Sequence, residues 1–256
     1  MSKPRASVFY DSWVMFKRCL LISLRNPETL VMAVITPVFM MLLFGAIYGK
    51  IVNVGEISYI DFIVPGIILQ CVAQGTQYTA INICTDMTRG VIDRFRSMPI
   101  TKSAVLIGHA SASIVRNIIT TSVTIGVAIA IGFRPQGGFV DWLMIAGILL
   151  LFIAAISWIA VFFGVISKTA ESSTGLMFPL FILPYVSSGF APTDTMHKSI
   201  RWFAEYQPMT PVIDSARALM LGTPTDGSVP IALAWCVGII IVAFTLAVQT
   251  YKHKIT

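Results

Sequence analysis

The chain has 256 residues, of which 56% are hydrophobic and 12% charged, with a formal net charge of +6 and a mean hydropathy of +0.81. A soluble domain of this size would carry about twice that charge, so the composition excludes an ordinary water-soluble fold. The basic excess does not point to nucleic acid, because Lys and Arg sit in short pieces between apolar stretches without interleaved aromatics.

Residues 1–26 read as an amphipathic helix, with Phe9, Trp13, Phe16, Leu20 and Leu24 at helical spacing and Lys17, Arg18 and Arg25 around them. Such a helix is expected in the plane of the membrane interface, its basic residues toward anionic headgroups. No signal peptide is expected, since the first apolar run follows Lys3, Arg5, Lys17, Arg18 and Arg25 with no small-residue cleavage site behind it. Asn26-Pro27-Glu28 is a helix start: a capping Asn, a Pro where no N–H is needed, and an acid in the first turn.

From there the spacing predicts six spans at about 29–48, 59–84, 104–131, 140–166, 172–190 and 229–250. A helix of ~20 apolar residues crosses the ~30 Å hydrocarbon core, where only internal hydrogen bonds satisfy the backbone. Pro37 should kink the first span, and Pro179 and Pro184 fall within the fifth. Trp142 is placed as an interfacial anchor. Residues 191–228 hold two amphipathic pieces, 195–206 and 211–221, neither long enough to span. Their stripes, Met196, Ile200, Phe203 and Val212, Ala216, Leu219, need a partner surface, so a re-entrant hairpin is expected. The fold class is therefore all-α: a polytopic membrane protein with six transmembrane helices, an amphipathic interfacial helix (1–26), and a transmembrane domain (27–256) with the hairpin before its last span.

Basic residues set the orientation. Five lie before residue 26, four in 85–103, Lys168 between the fourth and fifth spans, and Lys252 and Lys254 in the tail, which makes twelve on one side. The opposite connections hold Lys50, Arg134, Lys198, Arg201 and Arg217, diluted by seven acids. Both termini are thus expected in the cytoplasm of a multi-pass inner or plasma membrane protein.

The connection 86–100 is the most informative stretch. Read as a helix from Gly90, it puts Val91, Phe95 and Met98 on one face and Arg89, Asp93 and Arg96 on the other, with Arg94 between them and Pro99 ending it. From the residues alone this is either a headgroup-associated loop or a docking element for a soluble partner. Within the spans, Gln70, Gln74 and Gln77 share one stripe of the second. His109, Ser113, Asn117, Thr120 and Thr124 share one of the third, with Arg116 beside them. Helix–helix hydrogen bonding is common for such residues and is favoured here, with the wall of a translocation path as the alternative. Arg116 is expected to face protein or water, or to snorkel to the headgroups. His109 has no Cys, His or carboxylate cluster around it and reads as structural rather than as a metal ligand. Cys19, Cys71, Cys84 and Cys236 show no CxxC spacing and read as small apolar residues; Cys71 and Cys84 lie roughly 20 Å apart along one helix. No G-x-x-x-x-G-K-[ST], HExxH or GxSxG motif occurs, so neither nucleotide nor catalytic metal is expected on this chain.

Four stretches carry a resemblance: Tyr59-Ile60-Asp61-Phe62-Ile63-Val64-Pro65-Gly66, Gly90-Val91-Ile92-Asp93-Arg94-Phe95-Arg96-Ser97-Met98-Pro99, Ser187-Ser188-Gly189-Phe190-Ala191-Pro192, and Phe203-Ala204-Glu205-Tyr206-Gln207-Pro208-Met209-Thr210-Pro211. In this order and spacing the chain resembles the ABC-2 type permeases, nearest their daunorubicin-resistance branch. The resemblance implies a permease paired with itself or a sibling in the lipid membrane, docked to two cytoplasmic ATPase subunits that bind ATP and Mg. It makes 86–100 the coupling helix and the amino-terminal helix a second ATPase contact. It implies export of a drug-like, antibiotic or lipid-like compound by alternating access, with spans 2 and 5 shifting across the dimer axis. Alternatives from the sequence are export of a polysaccharide or lipid-linked glycan by the same machine, an ATP-independent secondary transporter, or a membrane sensor or immunity protein.

Overall fold

The structure, a computed structural model, describes residues 8–49, 51, 57–89 and 101–255. Among them all regular structure is helical: α1 (Val8–Arg25), α2 (Pro27–Tyr48), α3 (Tyr59–Thr88), α4 (Lys102–Ile131), α5 (Phe139–Ile166), α6 (Ala170–Ile182), α7 (Lys198–Tyr206), α8 (Met209–Leu221) and α9 (Ser228–Ile255). Short 3₁₀ turns at Leu183–Val186 and Thr193–Thr195 complete the set. Among the described residues five helices, α2, α3, α4, α5 and α9, are long and apolar enough to cross a membrane.

The fifth expected span departs from its sequence reading. In place of a single helix over 172–190 the chain forms the 13-residue α6, Ala170–Ile182, followed by the four-residue turn Leu183–Val186. The α-helical part covers only ~20 Å. Pro184 lacks the N–H that would continue the ladder, and the chain tightens into i→i+3 geometry there. The start of α2 differs in detail too. Asn26 makes no side-chain cap; its carbonyl instead accepts the Thr29 hydroxyl at 2.8 Å, while Pro27 opens the helix.

Helix α3 is the axis of the bundle. It packs against α2, α4, α5, α6 and α8, and is buried along nearly its whole length, whereas α2 and α9 bury one side only. Ile63, Ile67, Ile68 and Leu69 of α3 form the main core with Phe133, Ile145, Phe152, Ile156, Val212 and Ile213. In lipid such contacts are held by close packing rather than by escape from water, so small residues matter where backbones approach. At Gly66 an added Cβ would lie 2.8 Å from the Cα of Gly189, which places the turn after α6 directly on α3.

Helix α1 is clamped lengthwise along the first half of α4. The Asp11 carboxylate accepts the Thr101 N–H at 3.0 Å, and Ser23 meets Arg116 further along. Between them a Cβ on Gly108 would come within 2.6 Å of the Met15 Cβ. The amphipathic helix expected from periodicity is present and packed, with Met15, Cys19 and Ser23 buried against the bundle.

The 191–228 segment divides unequally. Helix α7 stays at the surface with Ile200, Trp202, Phe203 and Tyr206 exposed, whereas α8 is almost wholly buried against α3, α5 and α9. Gly222, at φ 68°, closes α8 in the left-handed conformation, and the Met220 carbonyl accepts the N–H groups of Gln136 and Gly137.

Candidate functional site

Polar side chains gather at three heights. At the end where α1, α3 and α4 meet, Arg18 donates to Asp86 through both Nη1 (2.7 Å) and Nη2 (3.0 Å), and His109 Nε2 lies 3.1 Å from the same carboxylate. The bidentate hydrogen bond to Asp86 is the main reason the Arg18 guanidinium is held above its usual pKa, against the opposing effect of burial. Arg116 lies deeper, 4% exposed. It donates to Ser23 Oγ at 3.2 Å, the Gly75 carbonyl at 2.8 Å and Thr79 Oγ1 at 2.6 Å. These groups line a cavity of about 340 Å³ that Arg89, Asn26 and Asn82 also border.

At mid-height the amide stripe of α3 faces α6. Gln70 Nε2 donates to the Tyr185 hydroxyl. Gln74 and Gln77 line a cavity of about 220 Å³ with Thr174, Met177, Phe178 and Phe181. The Oε1 atoms of Gln70 and Gln74 are buried without a donor. Polar amides beside a thioether and aromatic faces make a surface that suits an amphipathic, partly aromatic compound.

The stripe on α4 lies elsewhere, on the faces toward α3 and α5. Ser113, Asn117, Thr120 and Thr124 are all buried. Ser157 of α5 donates to Ser113 Oγ at 2.9 Å, and Asn117 Nδ2 donates to the Ser113 carbonyl at 2.9 Å. Asn117 also abuts Gly75, and Thr124 Oγ1 sits 3.4 Å from Cys71 Sγ. The structure therefore sets the two predicted stripes on different faces and does not join them into one surface.

At the far end, Arg217 of α8 is partly buried among several partners. Its Nε donates to the Phe62 carbonyl (3.1 Å), Nη1 to Asp214 (2.8 Å) and Nη2 to the Ser188 carbonyl, and its guanidinium lies 3.9 Å over the Phe62 ring. Burial pulls its pKa down to about 10, with Asp214 opposing. Beside it Phe44, Tyr48, Tyr59, Phe62, Tyr185 and Phe190 form a chain of ring contacts, and the Tyr59 hydroxyl donates to the Phe190 carbonyl at 2.9 Å.

Of the predicted docking residues, Arg89 is exposed at the end of α3. Val91, Asp93, Arg94, Phe95, Arg96 and Met98 lie outside the described residues. No local pattern joins Arg18, Asp86 and Arg116, because α1 meets the other two helices across 68 residues at Arg18–Asp86 and 93 at Ser23–Arg116. One signal was available: Gly75, Thr79, Asn82 and Asp86 form a second polar stripe at i, i+4, i+7, i+11 along α3. The four cysteines are free and buried, and among the described residues no group of three His, Cys, Asp or Glu could hold a metal.

Comparison with known proteins gives a consistent result. The profile of a family described as ABC-2 type transporter matches residues 10–221. The daunorubicin resistance ABC transporter permease protein DrrB1 of Streptomyces coeruleorubidus is 29% identical, over 89% of this chain and 81% of that protein. The probable doxorubicin resistance ABC transporter permease protein DrrC of Mycobacterium tuberculosis is 26% identical, over 91% and 84% respectively. A putative transport permease, ycf38, of Cyanophora paradoxa is 25% identical, over 82% and 73%.

Proposed function

Because this chain belongs to the ABC-2 type transporter family, we propose that it is the permease of an exporter whose ATPase subunits are separate polypeptides. The observation that carries this reading is the family match over residues 10–221, joined by relatives named for daunorubicin and doxorubicin resistance. The absence of a Walker motif from the sequence agrees with a chain that depends on a partner for ATP and Mg.

The cargo class is a drug-like or lipid-like amphipath. The amides Gln70, Gln74 and Gln77 beside Phe178 and Phe181 form the path wall, while Ser113, Asn117, Thr120 and Thr124 serve helix packing. Two permease chains associate along the α3 and α6 side, with α6 and its 3₁₀ continuation as a short sixth crossing. Both termini face the cytoplasm, as the distribution of Lys and Arg requires. The 191–228 segment re-enters the outer leaflet, α7 lying at its surface with Trp202 and Tyr206 at headgroup level. ATP-driven closure of the two partner subunits presses on 86–100 and on α1, and α1 passes the displacement to α3 and α4 through Arg18, Asp86 and the Gly108 contact.

The test is purification of the tagged chain from native membranes in mild detergent. A co-purifying ATPase of ~30 kDa, lost together with its activity when Arg94 or Phe95 is replaced by Asp, is the expected result. A solitary chain, or unchanged ATPase coupling in both variants, contradicts it.

A further inference from the structure

The cavity between α1, α3 and α4 joins a deeply buried positive charge to open volume. Arg116 makes its three hydrogen bonds to neutral oxygens, from Ser23, Gly75 and Thr79, and its Nε has no acceptor at all. None of the ion pairs among the described residues includes it. Asp86, on the same cavity wall, is already engaged by Arg18 through both oxygens and by His109. Among the described residues, the guanidinium groups of Arg18, Arg89 and Arg116 border this space, and Asp86 is the carboxylate that lines it.

A buried cation without a counter-charge is costly in a membrane domain, and the arrangement at the other end shows what a closed solution looks like: Arg217 has its own Asp214. We propose that the cavity binds a phosphate group, with Arg116 at its floor, Arg89 at its exposed rim, and Asn82 and Thr79 completing the ring of donors. A guanidinium fork matches phosphate oxygens in shape as well as charge. The volume of about 340 Å³ falls within the range of small-ligand sites and admits a glycerophosphate headgroup as readily as a free anion. Because α1 supplies Arg18 and Ser23 to the same wall, an occupied site ties α1 to α3 and α4. The proposal does not rest on transport, and it stands whether or not an ATPase partner exists.

The test uses the full chain purified in a phosphate-free maltoside detergent. One arm adds dioctanoyl phosphatidylglycerol, the other inorganic phosphate, with native mass spectrometry and thermal melting as readouts. Saturable binding with a raised melting temperature is expected. It should weaken at least about tenfold in Arg116→Gln and in Arg89→Gln. Arg134→Gln, an exposed position outside the cavity, should leave it unchanged. Binding of phosphatidylglycerol alone assigns the group to a lipid, and equal variant dependence with inorganic phosphate assigns it to a free anion. Saturation by neither probe, or equal binding by wild type and both cavity variants, overturns the proposal. Should Arg116→Gln fail to accumulate, Arg89→Gln alone decides, since Arg89 is exposed at the end of α3.

Discussion

The two ends of the bundle use the same residue for opposite purposes. Around Arg217 each guanidinium nitrogen has an acceptor, from Asp214 and two backbone carbonyls, with the face of Phe62 against the group, and the partners come from three separated segments. Around Arg116 the partners are neutral, one donor is unmatched, and a cavity adjoins. A saturated network resists rearrangement, whereas a partly matched one can exchange partners at little cost. On the proposed function, the Arg217 end is the fixed floor and the end built from α1, α3 and α4 is the part expected to move.

The sharpest way to break that contrast is Arg217→Met. It removes three charge-assisted hydrogen bonds, leaving Asp214 with the Ser188 hydroxyl and two carbonyls without the guanidinium, and should cost about 3 kcal/mol of stability in detergent unfolding. A loss below about 1 kcal/mol would mean that the far end is not the staple described. Next in size is Gly108→Leu, which forces α1 off α4, because even a Cβ there meets Met15 at 2.6 Å. A loss of about 2 kcal/mol is expected, together with faster maleimide labelling of Cys19, which α1 itself carries and buries against the bundle. Unchanged labelling would show that α1 is held by something other than this contact.

A smaller effect sharpens the comparison rather than testing it outright. A double-mutant cycle of Arg18→Gln and Asp86→Asn should give a coupling of about 1 kcal/mol, as befits a partly exposed bidentate pair. The smallest stability change belongs to Gln74→Leu, within about 0.5 kcal/mol, because its Oε1 has no donor to lose. Cargo transport by that variant should nevertheless fall several-fold. Equal transport by wild type and variant would remove the amide stripe from the path.

Helix positions were legible where one signal dominated. The break at Asn26-Pro27 and the apolar runs of α2, α5 and α9 follow directly from proline chemistry and hydropathy. The fifth span was less legible because an apolar run does not say where Pro184 converts an α-helix to a 3₁₀ turn. Periodicity identified α8 as amphipathic, yet the structure buries nearly all of it, polar Ser215 included, against three other helices. The Arg217 and Arg18 networks were out of reach for a plainer reason. Hydrogen bonds such as Arg217 to Phe62, 155 residues apart, leave no mark in local spacing. Only the polar stripe from Gly75 to Asp86 hinted at the cluster near Arg116, and it became meaningful once α1 was seen lying along α4.

The proposed function requires that this chain move cargo only when a separate ATPase drives it. The direct measurement is flux of drug-like amphipathic probes in proteoliposomes containing the purified chain, with and without a co-purified ATPase. The account predicts ATP-dependent flux with the partner and none without it. Uphill flux by the chain alone, driven by an ion gradient, would contradict it.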